Sequence, residues 1–217
     1  AAAVRDWVRR GGSLLATAES SLFDENCSPR RDFALGDVLG IRVDEPVSNA
    51  VQTADRKGPT YIHPAQDRHA LFDGLPQTEL ILPGDAVEAR TLDGNPLARQ
   101  IADAGTPMNA PSGATGRVAI HMNRFGKGRA VWVAASLFAR SRHQDLLTGV
   151  RWTDRLIRNL VQQLAPDAPW QITTSERVWA GLNRQEAKRR HIMHLVNWQT
   201  DLPAVDVPVS VARRLAP

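Results

Sequence analysis

Gly11-Gly12-Ser13-Leu14-Leu15-Ala16-Thr17-Ala18-Glu19-Ser20-Ser21 decides the fold class. The glycine pair stops a helix, because glycine accepts the left-handed conformation at a helix C-terminus. Leu14, Leu15 and Ala16 form an unbroken apolar run, the pattern of a parallel strand covered on both faces. Ahead of them, Val4, Trp7 and Val8 are spaced i, i+3, i+4, with charged residues elsewhere, so residues 1–10 read as an amphipathic helix. Arg9 and Arg10 in its last turn suit the negative end of the helix dipole. Helix, tight turn and parallel strand are half of a βαβ unit, in which another strand precedes the helix. The chain begins inside the helical pattern and reads as a fragment.

Beyond the polar loop, Ser28-Pro29 is a helix entry, serine as N-cap and proline in the first turn, with Asp32 a rival cap. Leu35, Val38 and Leu39 give that helix its apolar stripe, and Gly40 its stop. Residues 41–70 show no long periodicity, though Tyr61 and Ile62 suit a short strand. Glu79–Leu82 and Ala86–Leu92 read as strands divided by Pro83-Gly84, and Asp93-Gly94 is a turn signal. Residues 103–116 are loop-like. Arg117–Met122 and Ala130–Ala134 are apolar strands. Asn123–Gly128 connects them as a hairpin, with two glycines for positive φ. A long helix is expected over 144–164, its buried side marked by Leu147, Val150, Leu156, Ile157, Leu160, Val161 and Leu164. Pro166 and Pro169 follow as a linker. After Trp170 the period becomes alternating, which predicts an antiparallel β segment at the start of a second domain.

Composition sets bounds. At 217 residues the chain accommodates one domain and part of another. Hydrophobic residues are 42% and charged residues 23%, ordinary for a globular protein with a sizeable core. The net charge of +4 is spread along the chain, without the clustered charge and aromatic interleaving of a nucleic-acid face. No apolar run approaches the roughly 20 residues of a membrane span. A single cysteine, Cys27, excludes an internal disulfide and a cysteine-rich metal site.

In an α/β sheet, ligands sit beyond the carboxyl ends of the strands. Glu19, Ser20 and Ser21 occupy that position and are the candidates for a ligand-facing loop. As a nucleophile, Ser20 would need small residues two before and two after it; they are Ala18 and Leu22, and leucine is bulky. It would also need a histidine base with an acidic partner. The six histidines, His63, His69, His121, His143, His191 and His194, fall in no recognisable motif. Cys27 has Arg30 and Arg31 near it, yet reads as a surface loop thiol. Asp24 and Glu25 are adjacent on a solvated loop and do not make the spaced carboxylate pair of glycoside cleavage. His191 and His194 are three apart on a strand pattern, so they face opposite sides and are not a metal pair. No phosphate-binding or dinucleotide-binding glycine pattern follows a strand. The reading assigns no catalytic residue, no cofactor and no metal.

Three stretches together resemble one family. The first is Val8–Thr17 with Ser20–Glu25 and Asp32–Gly40. The second is Asn123-Arg124-Phe125-Gly126-Lys127-Gly128-Arg129-Ala130-Val131-Trp132. The third is His194-Leu195-Val196-Asn197-Trp198. They resemble the β-galactosidase trimerisation domain, a class I glutamine-amidotransferase-like module. More closely they are similar to the version that follows a TIM barrel in bacterial glycoside hydrolases, some of them α-L-fucosidase-like. The resemblance implies a flavodoxin-like three-layer α/β/α sandwich over residues 1–165, incomplete at its N-terminus, followed by a C-terminal β-rich segment over 166–217. It implies a non-catalytic role, since these modules lack the glutaminase cysteine and Thr17–Ser21 holds none. The implied partners are an upstream catalytic barrel of the same polypeptide, further copies of the chain (a trimer by resemblance), and the carbohydrate substrate of the parent enzyme. No nucleic acid or membrane partner is implied, and the compartment is left open with the cytoplasm favoured. Trp179 and Trp198 would stack on sugar or pack in a core. A Ser- or Cys-dependent amidase or peptidase on the same fold is the alternative. A small-molecule sensor domain is a third reading, by fold analogy alone.

Overall fold

The computed structural model describes residues 1–44, 60–65, 69–76, 78–82, 86–101, 113–138, 152–166 and 178–197. They belong to two units, Ala1–Ala165 and Pro166–Pro217. In the first, α1 (Ala2–Arg9) leads into β1 (Ser13–Thr17). Then follow α2 (Gly36–Leu39), β2 (Ile41–Val43), β3 (Thr60–Pro64), β4 (Leu80–Leu82), β5 (Ala89–Thr91), β6 (Asn95–Ile101), β7 (Ala114–Phe125), β8 (Gly128–Val133) and α3 (Trp152–Leu164). Six strands make one sheet in the order β1-β8-β7-β6-β3-β4, and β2 and β5 make a separate ribbon. β1 runs parallel to β8; the other pairs are antiparallel. The fold is mixed α/β.

The apolar run of β1 does what its pattern implies. Leu15 packs into one core with Ile120, Val131 and Val133, covered by Leu156, Leu160 and Leu164 of α3. Leu14 and Ala16 pack into a second core with Ala130 and Trp132, covered by Val8 of α1 and by Val38 and Leu39 of α2. Each fully buried leucine contributes about 1.5–3 kcal/mol relative to exposure. α3 departs from expectation at Val161, which is 50% exposed. Leu147 and Val150 lie outside the described residues.

The helix stop and the hairpin are one junction. Gly11 takes φ +118°, and Gly11 N and Gly12 N donate to Val8 and Trp7 carbonyls. Lys127 N then donates to Arg9 O, and Arg129 N to Gly12 O. Only Phe125 and Gly128 flank the two-residue turn, so β7 and β8 run into the expected connection. Of its glycines, Gly126 has the positive φ (+61°). Gly128 is required for another reason: a β-carbon there would strike the Val8 and Gly12 carbonyls.

Four other expectations are corrected. The helix entry at Ser28-Pro29 does not form. The Asp24 carboxylate accepts from Asn26 N and Ser28 N, and Phe23 bridges to Pro29, which curls this segment into a turn. Asp32 caps no helix, because its Oδ1 accepts from Phe33 N and Val43 N. The helix shrinks to Gly36–Leu39, stopped as expected by Gly40 at φ +70°. The strand expected over Ala86–Leu92 is Ala89–Thr91, and it pairs with β2 outside the main sheet. β6 had no sequence signal. It carries Pro96 at a register shift, and its Gln100 is buried, donating to the Val87 and Val118 carbonyls at 2.9 Å each.

In the second unit, β9 (Val178–Gln185) and β10 (Arg190–Asn197) form the antiparallel pair that the alternation implied. Trp198 and the side chain of Trp179 lie outside the described residues.

The glycines separate steric need from tolerance. Gly128→Ala is expected to lower the urea midpoint by an amount equivalent to about 1–3 kcal/mol. Gly116→Ala, on β7 with nothing within 4 Å of the added carbon, is expected to be neutral or stabilising by up to about 1 kcal/mol. Equal losses at the two positions would contradict the junction.

Candidate functional site

The segment beyond β1 is a tight, backbone-bonded turn. Ala18 N donates to Val133 O, Ser20 N to Thr17 O and Leu22 N to Glu19 O. Ala18 and Ser21 hold left-handed φ values of +47° and +73° without being glycine, a conformation that costs about 1–2 kcal/mol per residue. Contacts from β8 and from the start of α2 keep them there. The fully buried Trp132 donates its indole N–H to Ala18 O at 3.0 Å, and Phe33 meets the indole edge-on with ring centroids 5.5 Å apart. Ser21 O accepts from Ala34 N at 2.9 Å, and Ser21 Oγ from Leu35 N at 3.3 Å.

The three loop candidates therefore differ in role. Ser21 ties the turn to the start of α2. The Ser20 hydroxyl donates to Thr17 O at 2.6 Å and accepts from Thr17 N, so its proton is directed at backbone rather than at an imidazole. Glu19 is exposed, and of the three it alone presents an uncommitted side chain to solvent. Cys27, exposed and at φ +60°, sits in the Asp24 turn. Backbone N–H bonds from Ser28 and Asn26 hold the Asp24 carboxyl below the usual range. At the end of the parallel strand the turn thus presents one uncommitted carboxylate, that of Glu19.

α2, beside this turn, is held by charge and by buried amides. Arg5 grips Asp37 through two hydrogen bonds of 2.7 and 2.8 Å and also donates to Ala34 O. That grip holds the Asp37 carboxyl below its ordinary value. From the sheet, buried Asn123 donates to Asp37 O and Val38 O at 3.2 and 3.0 Å. Sequence reasoning placed Asn123 in a hairpin. Nothing local distinguishes an amide that reaches a helix 85 residues away. His121, two residues earlier, is fully buried. The other described histidines are scattered: His69 Nδ1 accepts from Leu71 N, His63 lies exposed on β3, and His191 and His194 are on β10. Among the described residues, no group of three or more His, Cys, Asp or Glu could hold a metal ion.

No protein-family profile matches the chain, and no curated protein matches it. Solved structures do. The chain is similar to α-L-fucosidase isoenzyme 2 from Paenibacillus thiaminolyticus, at 17% identity and a TM-score of 0.64, over 96% of this chain and 29% of that one. It is similar to the β-galactosidase from Rahnella sp. R3, at 19% identity and a TM-score of 0.58, over 91% and 25%. A third is the β-galactosidase from Bacillus circulans sp. alkalophilus, at 19% identity and a TM-score of 0.55, over 82% and 22%. The chain thus has the fold of a part of these glycoside hydrolases and spans less than a third of the length of each.

Trp132→Phe keeps the ring but leaves the Ala18 carbonyl without its donor. The expected loss is about 1–3 kcal/mol in chemical denaturation, against under about 0.5 kcal/mol for Ser20→Ala at the surface. A larger effect at Ser20 would mean that the turn is held from its exposed side.

Proposed function

We propose that residues 1–165 are a non-catalytic accessory and oligomerisation module of a carbohydrate-active enzyme, β-galactosidase- or α-L-fucosidase-like, whose catalytic barrel lies upstream. The observation that carries this reading is the pattern of coverage. Between 82 and 96% of this chain matches each of these three structures, while only 22 to 29% of each of them is matched. The finer fold of the reading is the flavodoxin-like sandwich of the β-galactosidase trimerisation domain. In its support, the parallel β1–β8 pair is covered by α1 and α2 on one face and by α3 on the other. The module would join copies of the chain, as a trimer, and its Glu19–Ser21 turn would help wall the sugar site of the barrel. β1 offers an apolar sheet edge for association: among the described residues it ends the sheet, and Leu14 and Leu15 are half-buried. Unpaired strand edges of this kind are templates for pairing.

The test is hydrolysis of a panel of nitrophenyl glycosides by the gene product carried to its natural N-terminus, beside the 217-residue chain. Turnover by the long form alone is expected. Turnover by neither would remove the carbohydrate assignment. Turnover by the short chain, abolished by Ser20→Ala or Cys27→Ala, would turn the reading to the amidase-type alternative. On the short chain, light scattering after size exclusion is expected to find association; a monodisperse monomer would count against the oligomerisation role.

A further inference from the structure

Among the described residues, one buried side-chain nitrogen lacks a hydrogen-bond partner: Nδ1 of His121, a residue fully buried on β7. Its Nε2 lies 2.7 Å from the Asp93 carbonyl oxygen. A carbonyl only accepts, so Nε2 carries the proton and Nδ1 keeps a bare lone pair. The turn that His121 holds is hung from α2 as well. Leu92 N and Asp93 N both donate to Gly40 O, at 2.8 and 3.1 Å. Gly40 has no room for a β-carbon, which would strike Asp93 O and the Asn123 side chain. The imidazole is therefore the side-chain peg of a junction that joins β7, the 92–94 turn and the end of α2.

Few charges surround the ring. Asp93 on the turn is the one whose field reaches it, and that carboxylate accepts from Gly94 N. Asp37 on α2 is gripped by Arg5. On β5, Arg90 is paired with Asp44. β8 sets Trp132 opposite His121, and β6 sets Pro96. Among the described residues no acceptor awaits a proton on Nδ1.

We propose that His121 is an acid-sensitive latch, whose protonation undoes the junction between β7, the 92–94 turn and the end of α2. In place, a protonated ring would bury an N–H without an acceptor. To take the proton it leaves its site, and leaving gives up the bond to Asp93. Burial lowers the pKa of the seated ring, against the opposing pull of the Asp93 carbonyl and carboxylate. The direction follows. Above about pH 6.5, the ordinary histidine value, seated and released rings are both neutral and the latch holds. As pH falls below that value, the released ring gains a proton that the seated ring refuses, and the closed form loses ground.

The experiment is a titration of the histidine rings of the whole chain by nuclear magnetic resonance from pH 8 to 5, with amide protection followed at Leu92 and Asp93. For His121 the expected result is the Nε2–H tautomer and a midpoint below about 6.5. Protection, corrected for intrinsic exchange, should fall by up to about tenfold per pH unit below that value. His121→Gln, uncharged and able to donate to Asp93 O, should show equal protection at pH 7 and pH 5. His63→Ala, at an exposed position, should keep the full acid response. A midpoint at or above the ordinary value, or protection indifferent to pH in the unaltered chain, overturns the proposal whether or not the glutamine variant folds.

Discussion

The indole N–H of Trp132, donated to the carbonyl of Ala18, is the bond on which this architecture turns. Ala18 sits in a costly backbone conformation, and the bond fixes it from the one side that cannot move, the middle of a buried strand. From there a circuit of hydrogen bonds closes around the second core. The turn beyond β1 reaches Ser21, Ser21 holds the backbone at Ala34 and Leu35, and α2 begins there. The far end of α2 is held by Asn123, and Asn123 lies beside Ala130, two residues from Trp132 on β8. Apolar burial supplies the attraction in this core. The circuit selects which of many collapsed arrangements is kept, because each of its buried polar groups is satisfied in that arrangement alone.

This distinction explains what the sequence could disclose. Features written in consecutive residues were legible: the stop at Gly11-Gly12, the doubly covered strand at Leu14–Ala16, the hairpin turn at Gly126, the stop at Gly40 and the alternation in the tail. Features that depend on a distant partner were not. Asp24 and Asp32 have ordinary helix-capping chemistry, but their carboxylates are claimed by local turns and by Val43. β6 hides because Gln100 and Pro96 break its pattern, and only the neighbouring carbonyls make a buried glutamine tolerable. Gly128 looks like a turn residue and is a contact residue.

The turn beyond β1 was legible in position and illegible in detail. The rule that ligands gather beyond the carboxyl ends of parallel strands picked out Glu19, Ser20 and Ser21. It had no means of separating them, since the separation lies in where each side chain points. Ser21 faces inward and carries structure, while Glu19 faces water. His121 and Asn123, whose buried side chains hold the 92–94 turn and α2, sit two apart on a strand, and spacing alone does not reveal that both reach across to other segments. A fold shared with portions of glycoside hydrolases does not assign chemistry to this chain, because function resides in sites set upon folds.

The parallel register of β1 with β8 has a consequence for how the chain is born. Ser13 lies beside Arg129, and Thr17 beside Val133. β1 thus leaves the ribosome more than a hundred residues ahead of β8, the strand it pairs with. The antiparallel β7 and β8 close through a two-residue turn and assemble early; distant pairings come late, once the entropy of a large loop has been met. Until β8 is made, that edge of β1 is open, and the interval is a natural opening for a chaperone, or for a misplaced neighbour.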